Sequence, residues 1–435
     1  MQTVRTLSLL GFCLTAGWLS AAEPLPLTFS EALNQVETTN LNVLLSRENI
    51  AQSVELAAQS RSSLWPTLSL DANQRRNLSA SVGANLVRSG VSNRFDAQLT
   101  GRVDLLNPAN LARYQTARQA IAVAKLGESQ VRQAILAEVA STYFVHLRNL
   151  ERTTLLDANI TRAQRLQQLA QNQLDAGVAT QIDVTRAESQ LAVAEQARLQ
   201  QDTVVQGSEL QLKQLLALEM TRPLTLAPFA VRRVAPGMFT PSEVVISYDR
   251  RPEMQSARAV FAQSELEVRT ARFARLPTLA LVGSYGYATE YAFDGNEAKV
   301  WAGTLAFSLP IFDGARTRSL TSYALSRRRA QDLRVQDLGN RISAEVQLAR
   351  QDATSRLAQI SVAEKGYALA EQELDLAQKR FQQGVADNRE IIEAQGRLSE
   401  AGDNLVQAVY LYNISRVELA RVRGDVRTIL VENTP

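Results

Sequence analysis

Prolines divide this chain into long stretches that contain none. They occur at 24, 26, 66, 108, 223, 228, 236, 241, 252, 277, 310 and 435, so residues 109–222 and 311–434 have no proline. A proline inside a helix removes a hydrogen bond and clashes with the preceding turn, so such stretches favour long helices. Both are rich in Ala, Gln, Leu, Arg and Glu, which are strong helix formers. Residues 109–176 as one helix would be about 100 Å long, at about 1.5 Å per residue.

The two halves of the chain resemble each other in sequence. Residues 64–68, LWPTL, return as 275–279, RLPTL. Residues 170–179, AQNQLDAGVA, align with 377–386, AQKRFQQGVA, at an offset of 207 positions. Similarity of this kind indicates an internal duplication.

Each repeat should contain a short helix, a strand pair and a long helical hairpin. We expect the repeats at 23–222 and 243–435, with a proline-rich connector at 223–242. In the first repeat, a short helix at about 28–64 and a returning helix at 180–221 together match the long helix in length. Two stacked helices would then lie beside one long helix, which gives a wall of even height.

The N-terminus reads as a secretory signal peptide at 1–22. Arg5 supplies positive charge, an apolar run follows, and Ser20-Ala21-Ala22 is a small-residue cleavage site. The apolar run is shorter than the roughly 20 residues that span a bilayer as a helix. Cys13 would be removed with the peptide, so we expect an exported chain without cysteine.

Each half also carries a pair of segments with period-two alternation, which indicates strands. We predict these pairs within 66–105 and 277–311. In the second half, large apolar residues such as Trp301 and Phe307 share one face, opposite small residues. A half-buried sheet of a soluble protein would show the same alternation.

Three features favour strands that span a membrane. Each run has about ten residues, close to the length of a tilted transmembrane strand. Aromatic residues cluster near the ends, and the connecting segments 77–93 and 288–298 are polar and contain glycine. Since four strands cannot close a barrel and open edges are not tolerated in lipid, several chains would have to share one barrel. Three copies would supply twelve strands.

The composition argues against an enzyme. One Cys and one His cannot build a zinc site or a Cys–His nucleophile pair, and His146 lies in a helical run where a packing role is expected. No phosphate-binding glycine loop or nucleophile elbow occurs in a suitable context. The 47 basic and 44 acidic residues nearly balance and give no footprint for nucleic acid. We therefore expect no catalysis, no cofactor and no metal.

In the order of these elements, the sequence resembles the TolC family of outer-membrane efflux and secretion channels. The resemblance covers essentially the whole mature chain and rests on the export signal, the duplicated halves, two strands per half and the long helices with glycine turns. It implies a mainly α fold with a small β part. Duplicated helical hairpins would form a periplasmic tunnel, and four transmembrane β-strands per protomer would combine in a homotrimer into a twelve-stranded barrel in the Gram-negative outer membrane.

The resemblance also implies a function and partners. The trimer would be the passive exit duct of a tripartite efflux or type I secretion system, in contact with outer-membrane lipid. A periplasmic adaptor (membrane fusion protein) would connect it to a proton-driven or ATP-driven inner-membrane pump. The alternative is a periplasmic adaptor or coiled-coil scaffold, since such proteins also carry long helical hairpins. That class would need lipoyl-like or all-β modules flanking a single hairpin.

Family members bind their adaptors at the helix tips. The resemblance implies that the tip residues here are Gly177, Val178, Ala179, Gly384, Val385 and Ala386. The simpler role of a glycine at such a turn is to cap the helix C-terminus.

The resemblance further implies a gate of carboxylates at the periplasmic end of the tunnel. Glu390 and Glu393 lie on nearly one helical face and match positions where relatives carry paired aspartates. Asp183 is the equivalent position in the first repeat. A solvated helical face is the alternative for each residue.

The bonds that close the gate should differ from the best-known pattern. Ala386 stands where some relatives have a basic residue, and Phe381 where they often have Tyr. Arg380 and Arg389 are candidates to replace the missing bonds.

Overall fold

The structure is a computed structural model that describes residues 25–83, 86–227, 249–293, 295–383, 385 and 387–429. The predicted signal peptide at 1–22 and most of the predicted connector lie outside these residues. The repeat boundaries given above stay predictions.

The first repeat contains two long helices, four shorter segments beside them and a long β-hairpin. In chain order its elements are β1 (Leu25–Leu27), α1 (Phe29–Thr39), α2 (Leu41–Ser62), β2 (Thr67–Gly83), β3 (Leu86–Leu106), α3 (Pro108–Asp175), α4 (Gln181–Leu216) and β4 (Leu224–Leu226). The second repeat has α5 (Pro252–Phe273), β5 (Thr278–Thr289), β6 (Ala298–Ser308), α6 (Arg316–Gln382) and α7 (Asn388–Arg423).

The two long hairpins are nearly equal in size. α3 and α6 have 68 and 67 residues, and the returning helices α4 and α7 have 36 each. In the first repeat, α1, α2 and α4 with 11, 22 and 36 residues together exceed α3 by a single residue. The prediction of a mainly α chain with duplicated long hairpins and a small β part is confirmed.

The short helix expected at 28–64 is two helices. Asn40 has extended backbone angles, and its side chain accepts from the N–H groups of Asn42 and Val43, which caps α2. The same side chain donates to the carbonyl of Leu215 at 2.7 Å. The break therefore fixes the end of α4 beside the start of α2, where the two helices stack.

The helices form a single-layered wall. α3 contacts α2 and α4 in the first repeat and α5 and α7 in the second, and α6 contacts α5 and α7. The order across the wall is therefore α2 or α4, then α3, then α5 or α7, then α6. No helix of the described ranges combines the length and the apolar character needed to cross a membrane.

A four-stranded antiparallel sheet lies at one end of the wall, in the order β2-β3-β5-β6. The register aligns Leu99 with Leu70 on one side and with Tyr285 on the other, and Tyr285 with Trp301. These four side chains are all exposed.

Two strand boundaries differ from prediction. The segment 77–93, expected to be a loop, continues the β2–β3 pairing as far as Gly83 opposite Leu86. The residues do alternate there, with Leu78, Ala80 and Val82 separated by serines, so the period-two pattern of a strand was present within a polar, glycine-containing composition. β6 ends at Ser308 rather than at 311, since Pro310 cannot donate to a ladder.

The largest core lies midway along the wall. Phe29 of α1 packs edge-on against Tyr143 of α3, with ring centroids 5.3 Å apart, and Leu33 and Val36 are fully buried beside them. β1 pairs in parallel with β4 next to this core. α1 and the small sheet thus form an extra layer on one face of α3.

Candidate functional site at the helix tips

The first hairpin turns at a glycine-capped helix end. Gly177 has φ +77°, its N–H donates to Leu174, and the N–H of Val178 donates to Gln173, each at 2.9 Å. This is a Schellman motif, in which a left-handed residue satisfies the last carbonyls of the helix. The capping role expected for Gly177 is present.

The second hairpin turns in the same way where it is described. The N–H of Val385 donates to Arg380 at 3.0 Å, at the position that corresponds to the Val178 bond. Asp387 then caps α7 by accepting from the N–H of Glu390 at 3.3 Å. The duplication therefore extends to the turn geometry.

The structure describes four of the six predicted docking residues, and the two valines among them are exposed. Val178 and Val385 expose 76% and 66% of their surface, and Ala179 is half-buried. Gly384 and Ala386 lie outside the described residues. The described tips thus present two apolar side chains to solvent, one from each repeat.

A small core holds the two tips together. Its members include three pairs of residues related by the 207-residue offset, and all six are buried: Ala170 and Ala377, Val184 and Ile391, and Ala187 and Ala394. Alanine at two of the three pairs allows the helices to approach closely. Phe381, which stands where relatives often have Tyr, is buried in the same core.

Each predicted gate glutamate has its own arginine. Arg380 donates from a terminal guanidinium nitrogen to Glu390 Oε1 at 2.9 Å, across the turn between α6 and α7. Arg389 Nε donates to Glu393 Oε1 at 2.9 Å along α7. The two arginines that the sequence offered as substitutes for the missing bonds therefore pair with the two glutamates.

The carboxylate of Asp183 caps the N-terminus of its own helix, α4. The Thr180 N–H and hydroxyl donate to Asp183 Oδ2 at 3.0 and 2.6 Å, which forms a capping box. These bonds, first that of the hydroxyl and then that of the N–H, lower the pKa of Asp183, and Arg186 at 3.7 Å adds to the effect.

Asn388 was missed by the sequence analysis. Its Nδ2 donates to the backbone carbonyl of Asp183 at 2.9 Å, and the residue is 1% exposed. The bond connects α4 to α7 at the tip. The offset of 207 aligns Asn388 with Gln181, another amide at the first position of a return helix, and this match was the available signal.

Farther from the tip, α3 is bound to α7 by a second set of polar contacts. Arg152 makes a two-pronged ion pair with Asp403, at 2.9 and 3.2 Å, and Asn159 Nδ2 donates to Ser399 Oγ at 2.7 Å. Nothing in the sequence pattern indicates these pairs. Within the described ranges, no three His, Cys, Asp or Glu side chains converge as a metal site would require.

Comparison with known proteins gives a consistent result. A family model described as outer membrane efflux protein matches residues 32–218 and 246–425. Outer membrane protein OprJ of Pseudomonas aeruginosa is 25% identical over 84% of this chain and 74% of its own. The solvent efflux pump outer membrane protein SrpC of Pseudomonas putida is 23% identical, over 88% of this chain and 82% of its own.

Solved structures share the fold. The CmeC outer membrane channel of Campylobacter jejuni superposes with a TM-score of 0.80 at 17% identity, over 93% of this chain and 89% of CmeC. The open state of the MtrE outer membrane channel of Neisseria gonorrhoeae gives a TM-score of 0.76 at 19% identity, over 91% and 89%.

Proposed function

The chain belongs to the outer membrane efflux protein family, and on this premise we propose that three copies form the passive exit duct of an efflux or secretion system. The proposal rests on one observation: the sheet and the helical wall of the protomer both end in open edges. β2 and β6 are the outer strands of the sheet, and α2, α4 and α6 are the outer helices of the wall. A wall and a sheet that are both open on two sides can close into a tube by pairing with further copies.

The sheet supports closure in a membrane. On the described sheet, four large apolar side chains expose between 54% and 77% of their surface, which is costly in water and favourable in lipid: Leu70, Tyr285, Trp301 and Phe307. Pairing of β2 of one copy with β6 of the next would give a twelve-stranded barrel without edges.

The two edges of the helical wall, α6 on one side and α4 on the other, both expose apolar side chains. On α6, an exposed apolar stripe repeats at intervals of seven or fourteen residues: Leu348, Val362, Leu369 and Leu376. On the opposite edge, α4 exposes Val193, Leu199, Val204 and Leu210. A seven-residue repeat is the pattern of a coiled-coil seam. A head-to-tail contact between α6 of one copy and α4 of the next closes a ring by rotation.

The gate and the partners follow from this assembly. Six glutamates from three copies of Glu390 and Glu393 would surround the periplasmic opening, and Asp183 would lie beside them as a helix cap. The tips at Val178 and Val385 would receive a periplasmic adaptor that connects to an inner-membrane pump. The chain would carry out no catalysis, and the pump would supply the energy. The two hairpins and the sheet favour this function over an adaptor or scaffold.

Fractionation and conductance test the proposal. The expressed full chain should appear in outer-membrane fractions as a trimer that resists dissociation in detergent until heated. Purified trimers should conduct ions in planar bilayers. A monomer recovered from the periplasm, with no conductance at any protein concentration, contradicts the proposal.

A further inference from the structure

A cavity of about 660 Å³ lies where the helical wall meets the sheet. Its lining comes from the four helices next to the sheet, α2, α3, α5 and α6. Each contributes at least one residue, among them Ser60, Arg113, Thr270 and Arg316. These four neighbouring helices face one cavity, as expected on the inner side of the proposed tube, where helix surfaces converge.

The position of α1 agrees with this assignment. Thr116, which lines the cavity, precedes Tyr143, which packs against α1, by 27 residues. At about 3.6 residues per turn this is about seven and a half turns, so the two side chains leave α3 on opposite faces. The extra layer of α1 thus lies on one face of the wall and the cavity on the other. In the proposed tube, the cavity opens into the bore.

The cavity lining has an excess of positive charge, since it carries the three arginines Arg113, Arg316 and Arg327 against the two acids Glu267 and Asp313. Arg327 pairs with Glu267 at 3.1 Å. The Asp313 carboxylate accepts from the N–H of Thr317 at 2.9 Å and from its hydroxyl. Glu267 is therefore neutralised by an arginine, whereas Asp313 is held in place by Thr317 and keeps its charge.

Two lining arginines remain available to a ligand. Arg113 donates from one guanidinium nitrogen to Asn110 Oδ1 at 2.8 Å, and neither Arg113 nor Arg316 has an acidic partner within the described part of the chain. A guanidinium presents five N–H donors in a planar fork that suits carboxylate, sulfonate and phosphate oxygens.

The remaining lining is apolar or small. Leu320 and Tyr323 of α6 expose 43% and 63% of their surface next to the arginines, and alanines of α3 and α5 form much of the wall. The volume lies in the range of pockets that hold small organic ligands. An aromatic or aliphatic body could lie against Leu320 and Tyr323 while its charged group contacts Arg113 and Arg316.

We infer that this cavity binds organic anions with an apolar body. Its placement in the bore rests on the proposed function, whereas the binding itself does not. Within the bore, the three copies of the cavity form a contact ring for anionic cargo between the gate and the barrel. A site in a duct must release what it binds, so the affinity should be weak.

Equilibrium dialysis of the purified full chain against naphthalene-2-sulfonate tests the inference, with detergent alone as the blank. The wild type should bind the sulfonate saturably and more tightly than naphthylmethylammonium, a cation of similar size. The double variant Arg113→Gln/Arg316→Gln should bind it roughly tenfold more weakly or worse, since hydrogen bonds to a charged group are lost. Arg318→Gln is the matched control, because Arg318 is exposed on the same helix and does not line the cavity.

The outcomes separate the site from the duct. Absence of saturable binding, equal weakening by Arg318→Gln, or equal affinity for the cation overturns the inference. If the wild type binds the anion as expected but gives no conductance in bilayers, the cavity stands as a binding site and the proposed duct fails.

Discussion

The side-chain amide of Asn388 donates a hydrogen bond of 2.9 Å to the backbone carbonyl of Asp183. The two residues lie in the first turns of the return helices of the two repeats, so the bond couples the tip of one hairpin to the tip of the other. Because the acceptor is a backbone group, this tether depends on the side chain at 388 and not on the side chain at 183.

Asn388→Ala should therefore loosen the closed tip. Loss of a bond of about 1 kcal/mol shifts a closed–open equilibrium about fivefold per protomer. Mean conductance in planar bilayers should rise. Asn404→Ala, which removes an exposed amide from the same helix, should leave it unchanged. Equal conductance of both variants and the wild type excludes a role for the tether in gating.

Removal of the proposed gate carboxylates, Glu390 and Glu393, should widen the opening and change its ion preference. In Glu390→Ala/Glu393→Ala, the ion pairs with Arg380 and Arg389 are lost and the arginines remain. Conductance should rise and selectivity for cations should fall, most clearly at low salt, where exposed charges are least screened.

The control for this experiment is Glu400→Ala, an exposed carboxylate farther along α7. If Glu400→Ala reproduces the effect, the change reflects net charge and not an aperture. An unchanged conductance of the double variant refutes the gate assignment.

Gly286 should tolerate no side chain. A Cβ at this position would lie 2.1 Å from the carbonyl oxygen of Ala97 and 2.6 Å from Cα of Gln98, which are backbone atoms of β3 and cannot move aside without breaking the ladder. Gly286→Ala should reduce the yield of heat-resistant trimer severely. Gly283→Ala, on the same strand with open space around its Cβ, should assemble normally. If both variants formed normal amounts of trimer, the close approach of β5 to β3 at Gly286 would be contradicted.

His146 should make stability fall in mild acid. It is 1% exposed, and its Nδ1 lies 2.8 Å from Ser208 Oγ between α3 and α4. Burial lowers its pKa below the ordinary 6.5; Glu209 opposes this shift and Lys213 adds to it. The unfolded chain then binds the proton more readily. Stability is complete above about pH 6.5 and declines as the pH falls toward the pKa of the folded state.

Thermal unfolding between about pH 7.5 and about pH 5.5 measures this effect, since a histidine titrates in that interval. His146 is the single histidine of the chain, so His146→Leu should flatten the decline between these values. A decline of the same slope in the variant assigns the pH dependence to carboxylates.

The sequence predicted the helical architecture because its signals are local. The absence of proline limits where helices can break, and the 207-residue offset places the two turns without any tertiary knowledge. Gly177 could be assigned as a cap because a left-handed residue after a helix is a local requirement.

Other features depend on contacts between distant segments. The break at Asn40 is stabilised by the carbonyl of Leu215, and the Arg152–Asp403 pair joins residues 251 positions apart. No periodicity marks such pairs. The extension of β2 to Gly83 was missed for a different reason: Leu78, Ala80 and Val82 alternate with polar or small residues as in a strand, but the glycines and polar residues of the segment suggested a loop.

The β2–β3 hairpin continues well past the last residue of β5, where Thr289 pairs with Phe95. Beyond this pair the hairpin has only its own two strands. In the proposed orientation the paired residues beyond Thr289 extend away from the periplasm, so three copies would display three β-ribbons at the cell surface, all contributed by the first repeat. Substitutions in these ribbons would disturb no other strand of the sheet, because beyond Thr289 only β2 and β3 pair with each other.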